Sequence, residues 1–162
     1  MTSLLRLHPW LATGPAAWLV SREVHPGVAR EAWAKGLPAT LRAGIHFDAV
    51  HMSAALVERR AASRERGAVE AWFRDGGITA AVIVSRLRDR YTALVPPDTA
   101  AGWDVAHTHC LGATRHTPYL AVPVPTRRRP PGAFWLLPAP DDDGMLCAPE
   151  RLRELFGGAA AR

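Results

Sequence analysis

Residues 78–97, ITAAVIVSRLRDRYTALVPP, contain two runs rich in β-branched residues on either side of the polar segment RLRDR. Runs of this composition, bounded by polar turn residues, are typical of strands, and a short connection between them favours an antiparallel hairpin. Pro96 and Pro97 end the second run, because proline lacks the amide hydrogen that a sheet interior requires. The stretch therefore predicts a β-hairpin with a loop of about five residues.

Three more β-rich segments accompany the hairpin. Residues 44–53, GIHFDAVHMS, alternate Ile45, Phe47 and Ala49 with polar side chains, which is the two-residue period of a strand that ends near Met52. Residues 118–125, PYLAVPVP, and 133–140, AFWLLPAP, predict two further strands, whose prolines favour positions at a sheet edge. Together the five segments predict a single, mainly antiparallel sheet of about five strands.

Helix signals surround these strands. Ser53 is a good N-cap for a helix over residues 54–67, AALVERRAASRERG, with Gly67 as the residue that ends it. Residues 68–77, AVEAWFRDGG, predict a short helical turn stopped by two glycines, and residues 148–158, APERLRELFGG, predict a last helix.

The first 44 residues predict a helical lead-in. Two segments, PAAWLVSREV at 15–24 and PGVAREAWAKG at 26–36, each begin with a proline, and the second closes at Gly36. Proline at the start and glycine at the end of a helix is the expected asymmetry. The whole pattern predicts an α+β protein with helices on one face of the sheet. The same pattern predicts a single domain over residues 1–162, with a helical lead-in at 1–44 and an α+β core at 45–156.

Composition limits the class of protein. A chain of 162 residues with 48% hydrophobic residues and six tryptophans can bury the core of one globular domain, which excludes disorder. Two cysteines are too few for a disulfide-stapled scaffold, so a reducing compartment is expected. Prolines interrupt the apolar N-terminal stretch, against a signal peptide, and no apolar run is long enough for a membrane helix. These features predict a cytoplasmic protein without a membrane partner.

Arginine carries the positive charge. The formal net charge is +5, and Lys35 is the single lysine among the twenty Lys and Arg residues. GC-rich coding accounts for that ratio but not for the placement of two arginine groups in loops. We predict that both groups contact phosphates, because the guanidinium fork suits them, and that two aromatic side chains stack on bases. The arginines are Arg86, Arg88, Arg90, Arg127, Arg128 and Arg129, and the aromatic residues are Tyr119 and Trp135.

Residues 107–116, HTHCLGATRH, concentrate three histidines and a cysteine. In an extended segment His107 and His109 share a face, and with Cys110 and the more distant Asp48 they are candidate ligands of a metal ion. The spacing matches no recognised zinc signature, however. A partly exposed loop with Cys110 buried as a small apolar side chain is therefore the favoured interpretation.

Three stretches carry a family resemblance that covers roughly residues 44–156: FDAVHMSAALVERR, TAAVIVSRLRDRYTALVPPDTAAGWD and CLGATRHTPYLAVPVPTRRRPPGAFWLLP. This pattern resembles actinomycete proteins akin to the N-terminal domain of bifunctional DNA primase/polymerases. The resemblance implies two acidic metal ligands on one strand, separated by one position. Asp48 has the first place, but Val50 occupies the second, and one carboxylate cannot assemble a two-metal clamp. The resemblance thus implies a catalytically silent relative whose sheet is a platform for nucleotide or nucleic acid.

Three hypotheses of different classes follow from the sequence. The leading one is a non-catalytic domain without a cofactor that binds nucleic acid, a nucleotide or another phosphorylated ligand. The alternative is an enzyme of nucleotidyl transfer or hydrolysis with Zn or Mg at Asp48, His107, His109 and Cys110. The third is a protein-interaction module whose prolines and exposed tryptophans contact a protein partner or a second copy in a homodimer.

Overall fold

The computed structural model describes residues 2–158 and shows an α+β fold, as predicted. The helices are α1 (Thr2–Leu7), α2 (Gly14–Val20), α3 (Pro26–Ala34), α4 (Ala54–Ala61), α5 (Arg66–Asp75) and α6 (Pro149–Arg153), with short 3-10 turns at Pro9–Ala12, Ala100–Gly102 and Asp143–Met145 and a π-helical turn at Glu154–Gly158. The strands are β1 (Ala39–Arg42), β2 (Asp48–Ser53), β3 (Val82–Val84), β4 (Arg90–Val95), β5 (Thr108–Leu111), β6 (Tyr119–Val122) and β7 (Phe134–Leu137). None of the helices in the described part is long and apolar enough to cross a membrane.

The predicted hairpin is confirmed and forms the centre of the main sheet. This five-stranded sheet has the order β5-β2-β4-β3-β7, and its neighbouring strands are antiparallel. Ser85 closes the β3–β4 turn: its hydroxyl donates to an Asp89 carboxylate oxygen at 2.7 Å and accepts from the Arg90 amide at 3.1 Å. β4 ends at Val95, directly before the two prolines.

The prediction that all the strands join one sheet is wrong, because the strands form two sheets. β6, from the segment PYLAVPVP, does not join it but pairs with β1 in a separate two-stranded sheet, the small sheet. β1 lies inside the predicted helical lead-in, and β5, from the predicted histidine loop, takes the fifth place in the main sheet. Both missed strands have four residues, and each pairs with a strand that is far away in sequence, so no hairpin signal marks either of them.

Helix and strand ends partly follow the local signals. The Ser53 hydroxyl accepts from the Leu56 amide at 3.1 Å, which confirms the N-cap of α4. The helix is shorter than predicted, because Ala62 adopts a left-handed conformation with φ of 57°, and Gly67 instead lies within α5. β2 begins at Asp48 rather than near residue 45, since the preceding residues form bends.

Strand alternation gives the main sheet two different faces. Asp48, Val50 and Met52 share one face with Tyr91, and helix α5 packs on it, with the Phe73 and Tyr91 ring centroids 6.2 Å apart. We call this the helix face. The opposite face, the cleft face, carries the row Ile83, Thr92, His51 and His109 across four neighbouring strands.

The small sheet lies over part of the cleft face. Trp135, which pairs with Ile83 in the main sheet, donates from its indole nitrogen to the Pro123 carbonyl at 3.3 Å. Trp33 of α3 donates from its indole nitrogen to the carbonyl of Val122, the last residue of β6, at 3.0 Å. Two buried indole groups thus fix the small sheet and the N-terminal helices to the core, because each is a large apolar side chain with one directed hydrogen bond.

Candidate functional site

A cleft of about 570 Å³ opens between the main-sheet hairpin and the small sheet. Its floor includes Ile83 and Thr92 of the cleft face, and Leu120 of β6 forms part of the opposite wall. The remaining lining residues come from the hairpin turn, the segment before β1 and the segments around β6 and β7: Gly36, Pro38, Ser85, Arg86, Leu87, Asp89, Arg90, Ala121, Pro123, Val124, Arg127, Gly132 and Ala133. The cleft therefore has apolar walls and a charged rim.

Arginines from both predicted loop groups meet at this cleft. Arg86 and Arg90 reach it from the β3–β4 turn, and Arg127 reaches it from the loop that follows β6. Within residues 2–158, none of these three guanidinium groups forms an ion pair with a carboxylate. The cleft thus concentrates positive charge that the described chain leaves uncompensated.

Two glycines lie beside Arg127. A methyl group at Gly36 or at Gly132 would lie 3.4 Å from one of its terminal nitrogens, and both glycines have positive φ, +77° and +80°. Arg127 is further held by a hydrogen bond of 3.2 Å from its Nη1 to the Pro131 carbonyl. The guanidinium is therefore positioned by backbone, with donors left over for a ligand.

Asp89 is the one acidic side chain among the residues that line the cleft. Its carboxylate accepts from the Ser85 hydroxyl and so serves the geometry of the turn. With three arginines and one aspartate, the rim of the cleft carries a net positive charge. A cleft of this kind can hold an anionic group at its rim and a flat or apolar group between its walls.

The other predicted arginines do not line the cleft. Arg128 donates from Nε to the Trp135 carbonyl at 2.9 Å and from Nη2 to the Leu136 carbonyl at 3.0 Å, and it lies 3.6 Å from a Glu70 carboxylate oxygen. It therefore satisfies carbonyls on the outer edge strand β7 and is not among the residues that line the cleft. Arg88 and Arg129 are exposed and stand outside the cleft lining.

The predicted stacking residues are not part of the cleft either. Trp135 is fully buried and its indole nitrogen is already bonded, so the prediction that it stacks on a base is wrong. Tyr119 is 59% exposed but lines a separate hollow with Val24, Val28 and Arg42 on the outer side of the small sheet. Stacking in the cleft would instead use aliphatic walls such as Leu120.

Asp48 is sealed under the loop that joins β4 and β5. One carboxylate oxygen, Oδ2, accepts from the Ala100 amide at 2.8 Å, while the buried Oδ1 has no hydrogen-bond partner within the described residues. Burial raises the pKa of this carboxyl group. Gly112 closes the site so tightly that a methyl group there would lie 2.4 Å from Ala100 Cβ and 2.7 Å from Asp48 Oδ2.

The four candidate metal ligands are not brought together. Asp48 and Cys110 lie on the helix face, whereas His109 pairs with His51 on the cleft face, and His107 precedes β5 in a left-handed conformation. Burial, and secondarily Asp48, raises the pKa of Cys110 to about 12, so the thiol stays protonated. Among residues 2–158, no group of three or more His, Cys, Asp or Glu side chains is arranged to hold a metal ion.

His51 and Asp48 point to opposite faces of β2. The His51 Nδ1 atom lies 2.8 Å from the Thr92 hydroxyl. Burial is the main cause that lowers the pKa of His51 to about 4, with smaller contributions from Arg90 and His109. The ring is therefore neutral near pH 7.

Comparison with known proteins adds no relative to this description. No protein-family model matches the chain, and no curated protein or solved structure is significantly similar to it. The cleft is therefore identified from the geometry of this chain alone. Sequence reasoning missed Gly36, Thr92 and the β6 wall of the cleft, because only the docking of the small sheet brings them beside the hairpin arginines.

Proposed function

We propose that this protein binds a phosphorylated ligand of nucleotide size in the cleft, and that it does so without catalysis. The observation that carries the proposal is the convergence of Arg86, Arg90 and Arg127, from two loops distant in sequence, on one apolar-walled cleft in which none of them is ion-paired.

Size and chemistry support this ligand class. A volume of about 570 Å³ falls within the range of small-molecule and cofactor sites. Guanidinium groups bind phosphate oxygens with charge-assisted and often paired hydrogen bonds. The aliphatic side chains of Leu120 and Val124 offer the apolar surface that a base or another flat group requires.

The absence of catalysis in this proposal follows from the Asp48 site. The carboxylate is fully buried, Val50 beside it on the same face is also fully buried, and both lie on the face opposite to the cleft. We propose a kinship with primase/polymerase domains, supported by the sequence pattern and by the position of Asp48 at the start of an interior strand of the main sheet. A ligand in the cleft would not use the position of the family's metal-binding acids.

The first test is a calorimetric titration with a nucleoside monophosphate at low salt. Arg127→Ala should weaken binding at least tenfold, since a hydrogen bond to a charged group contributes about 1.5–3 kcal/mol. Arg129→Ala is the matched control: it removes the same charge from the same loop at a residue outside the cleft lining. Its affinity should stay within about twofold of the unchanged protein, a difference below about 0.5 kcal/mol.

Comparing the two variants distinguishes binding at the cleft from nonspecific electrostatic attraction to the whole protein. Equal losses in Arg127→Ala and Arg129→Ala would show that only net charge matters and would contradict the cleft. No binding at low salt, where phosphate contacts are strongest, would end the proposal.

A second candidate is an interaction surface for a protein. Val24 and Val28, each 68% exposed, and the half-exposed Tyr119 surround one hollow on the outer side of the small sheet. Exposed apolar side chains grouped in one place favour a protein contact. Analytical ultracentrifugation over a range of concentrations tests self-association, and Val28→Glu should abolish any dimer formed through this hollow.

A further inference from the structure

The cleft does not end at Arg90. A second hollow, of about 440 Å³, lies on the other side of this residue and is lined by His51, His107 and His109. The remaining lining residues are Met52, Ser53, Asp89, Arg90 and Thr108, so that Asp89 and Arg90 border both spaces.

The two spaces share one continuous strip of sheet. Thr92, on the cleft floor, pairs with His51, and His51 pairs with His109, so the three side chains form a row across β4, β2 and β5 on the same face. With neighbouring strands about 4.8 Å apart, this row extends roughly 10 Å beyond the cleft floor. Exposure increases along it, from the buried Thr92 through the half-buried His51 to the exposed His109.

The second hollow offers hydrogen-bond donors rather than carboxylates. Asp89 is its one acidic lining residue and is bonded to Ser85. In the tautomer of neutral His51 whose Nδ1 accepts from the Thr92 hydroxyl, the ring hydrogen is on Nε2, where it can be donated to a ligand. Arg90 stands between the two spaces with no ion pair in the described chain.

We propose that the second hollow is a phosphate subsite continuous with the cleft, so that the protein binds a short single-stranded nucleotide chain across Arg90, one unit in the cleft and the next phosphate at His109. This inference rests on the proposed function, because it assigns the cleft to the first nucleotide unit. It adds the class of ligand: a linked chain of nucleotides instead of a mononucleotide.

The test compares a nucleoside monophosphate with a 5′-phosphorylated dinucleotide of the same base. The dinucleotide should bind at least fivefold more tightly to the unchanged protein, and His109→Ala should remove this difference while it leaves mononucleotide affinity unaltered. His116→Ala is the matched control, because His116 is exposed in a neighbouring loop and lines neither space. It should preserve both affinities.

The possible results are distinguishable. If both ligands bind equally well, or if the dinucleotide advantage persists in His109→Ala, the second subsite is overturned and the cleft proposal stands. If neither ligand binds, the proposed function itself falls. Since His109 is exposed, its replacement is not expected to unfold the protein, and a thermal melt of the variant within about 2 °C of the unchanged protein verifies this.

Discussion

Charged side chains on the two sides of the main sheet differ in burial and in their hydrogen-bond partners. On the helix face, Asp48 is fully buried, receives one backbone hydrogen bond and is packed against Gly112. Beside the cleft face, Arg90 of β4, Arg86 of the β3–β4 turn and Arg127 of the loop after β6 border an open space without ion pairs in the described chain.

This difference separates a structural role from a binding role. The buried Asp48 carboxylate accepts a hydrogen bond from the Ala100 amide and so stabilises the turn there. Its surroundings leave no room for a ligand. Guanidinium groups that are positioned but unpaired keep donors for a molecule from outside. Asp48, which the sequence offers as a candidate metal ligand, is thus less available to a ligand than the arginines of the cleft.

The largest effect is expected at the seal over Asp48. Gly112→Ala places a methyl group 2.4 Å from Ala100 Cβ and should lower the free energy of unfolding by about 3 kcal/mol, since overpacking forces neighbouring atoms to shift. Gly102→Ala, in the connection between β4 and β5 that covers Asp48 and with no atom within 4 Å of the added carbon, should change it by less than about 0.5 kcal/mol. Urea denaturation measures both, and a tolerated Gly112→Ala would mean that the Asp48 site is open.

The next effect distinguishes two adjacent arginines. Arg128→Ala removes two hydrogen bonds to β7 carbonyls and should cost about 2 kcal/mol of stability. Its ligand affinity should be unchanged, whereas Arg127→Ala should lose affinity with little loss of stability. A chemical denaturation curve and a titration on each variant test this exchange of roles, and the reverse result would invalidate the assignment.

A smaller effect is expected from the turn that presents Arg86 and Arg90. Ser85→Ala loses the hydroxyl that links Asp89 to the Arg90 amide, which should cost about 1 kcal/mol and also weaken nucleotide binding. Ser63→Ala removes a comparable hydrogen bond, to the Glu65 amide, far from the cleft, and should affect stability alone. If the two variants bind the nucleotide equally well, the turn does not position the arginines.

The smallest effect concerns the protonation of Asp48. Since burial raises its pKa above the ordinary value of 3.8, the folded protein retains this proton to higher pH than the unfolded chain does. Its contribution to stability is therefore complete below that ordinary value and is lost as pH rises through the raised pKa. Asp48→Asn has no such proton, so the variant should gain stability relative to the unchanged protein as pH rises above about 4 and through the raised pKa of Asp48. Thermal melts across this range test the sign, and a relative loss would mean that the carboxylate is favourably solvated.

Local sequence determined the elements whose signals lie within a few residues. The β3–β4 hairpin, the Ser53 cap and the glycine stop after α5 all follow from periodicity and from residues with strong conformational preferences. The same signals predicted the strand that becomes β2, because alternation is a property of the backbone. They also identified both arginine groups, but not which members of each group are free.

Only the tertiary structure decided which strands share a sheet and which arginines share a cleft. β1 and β6 are separated by most of the main sheet in sequence, so their pairing, and the apolar wall that Leu120 provides, have no local signal. The neighbours Arg127 and Arg128 are identical as residues, yet one borders the cleft and the other bonds the carbonyls of β7. The physical reason is that a side chain's availability depends on what packs beside it, and for these residues the packing comes from distant parts of the chain.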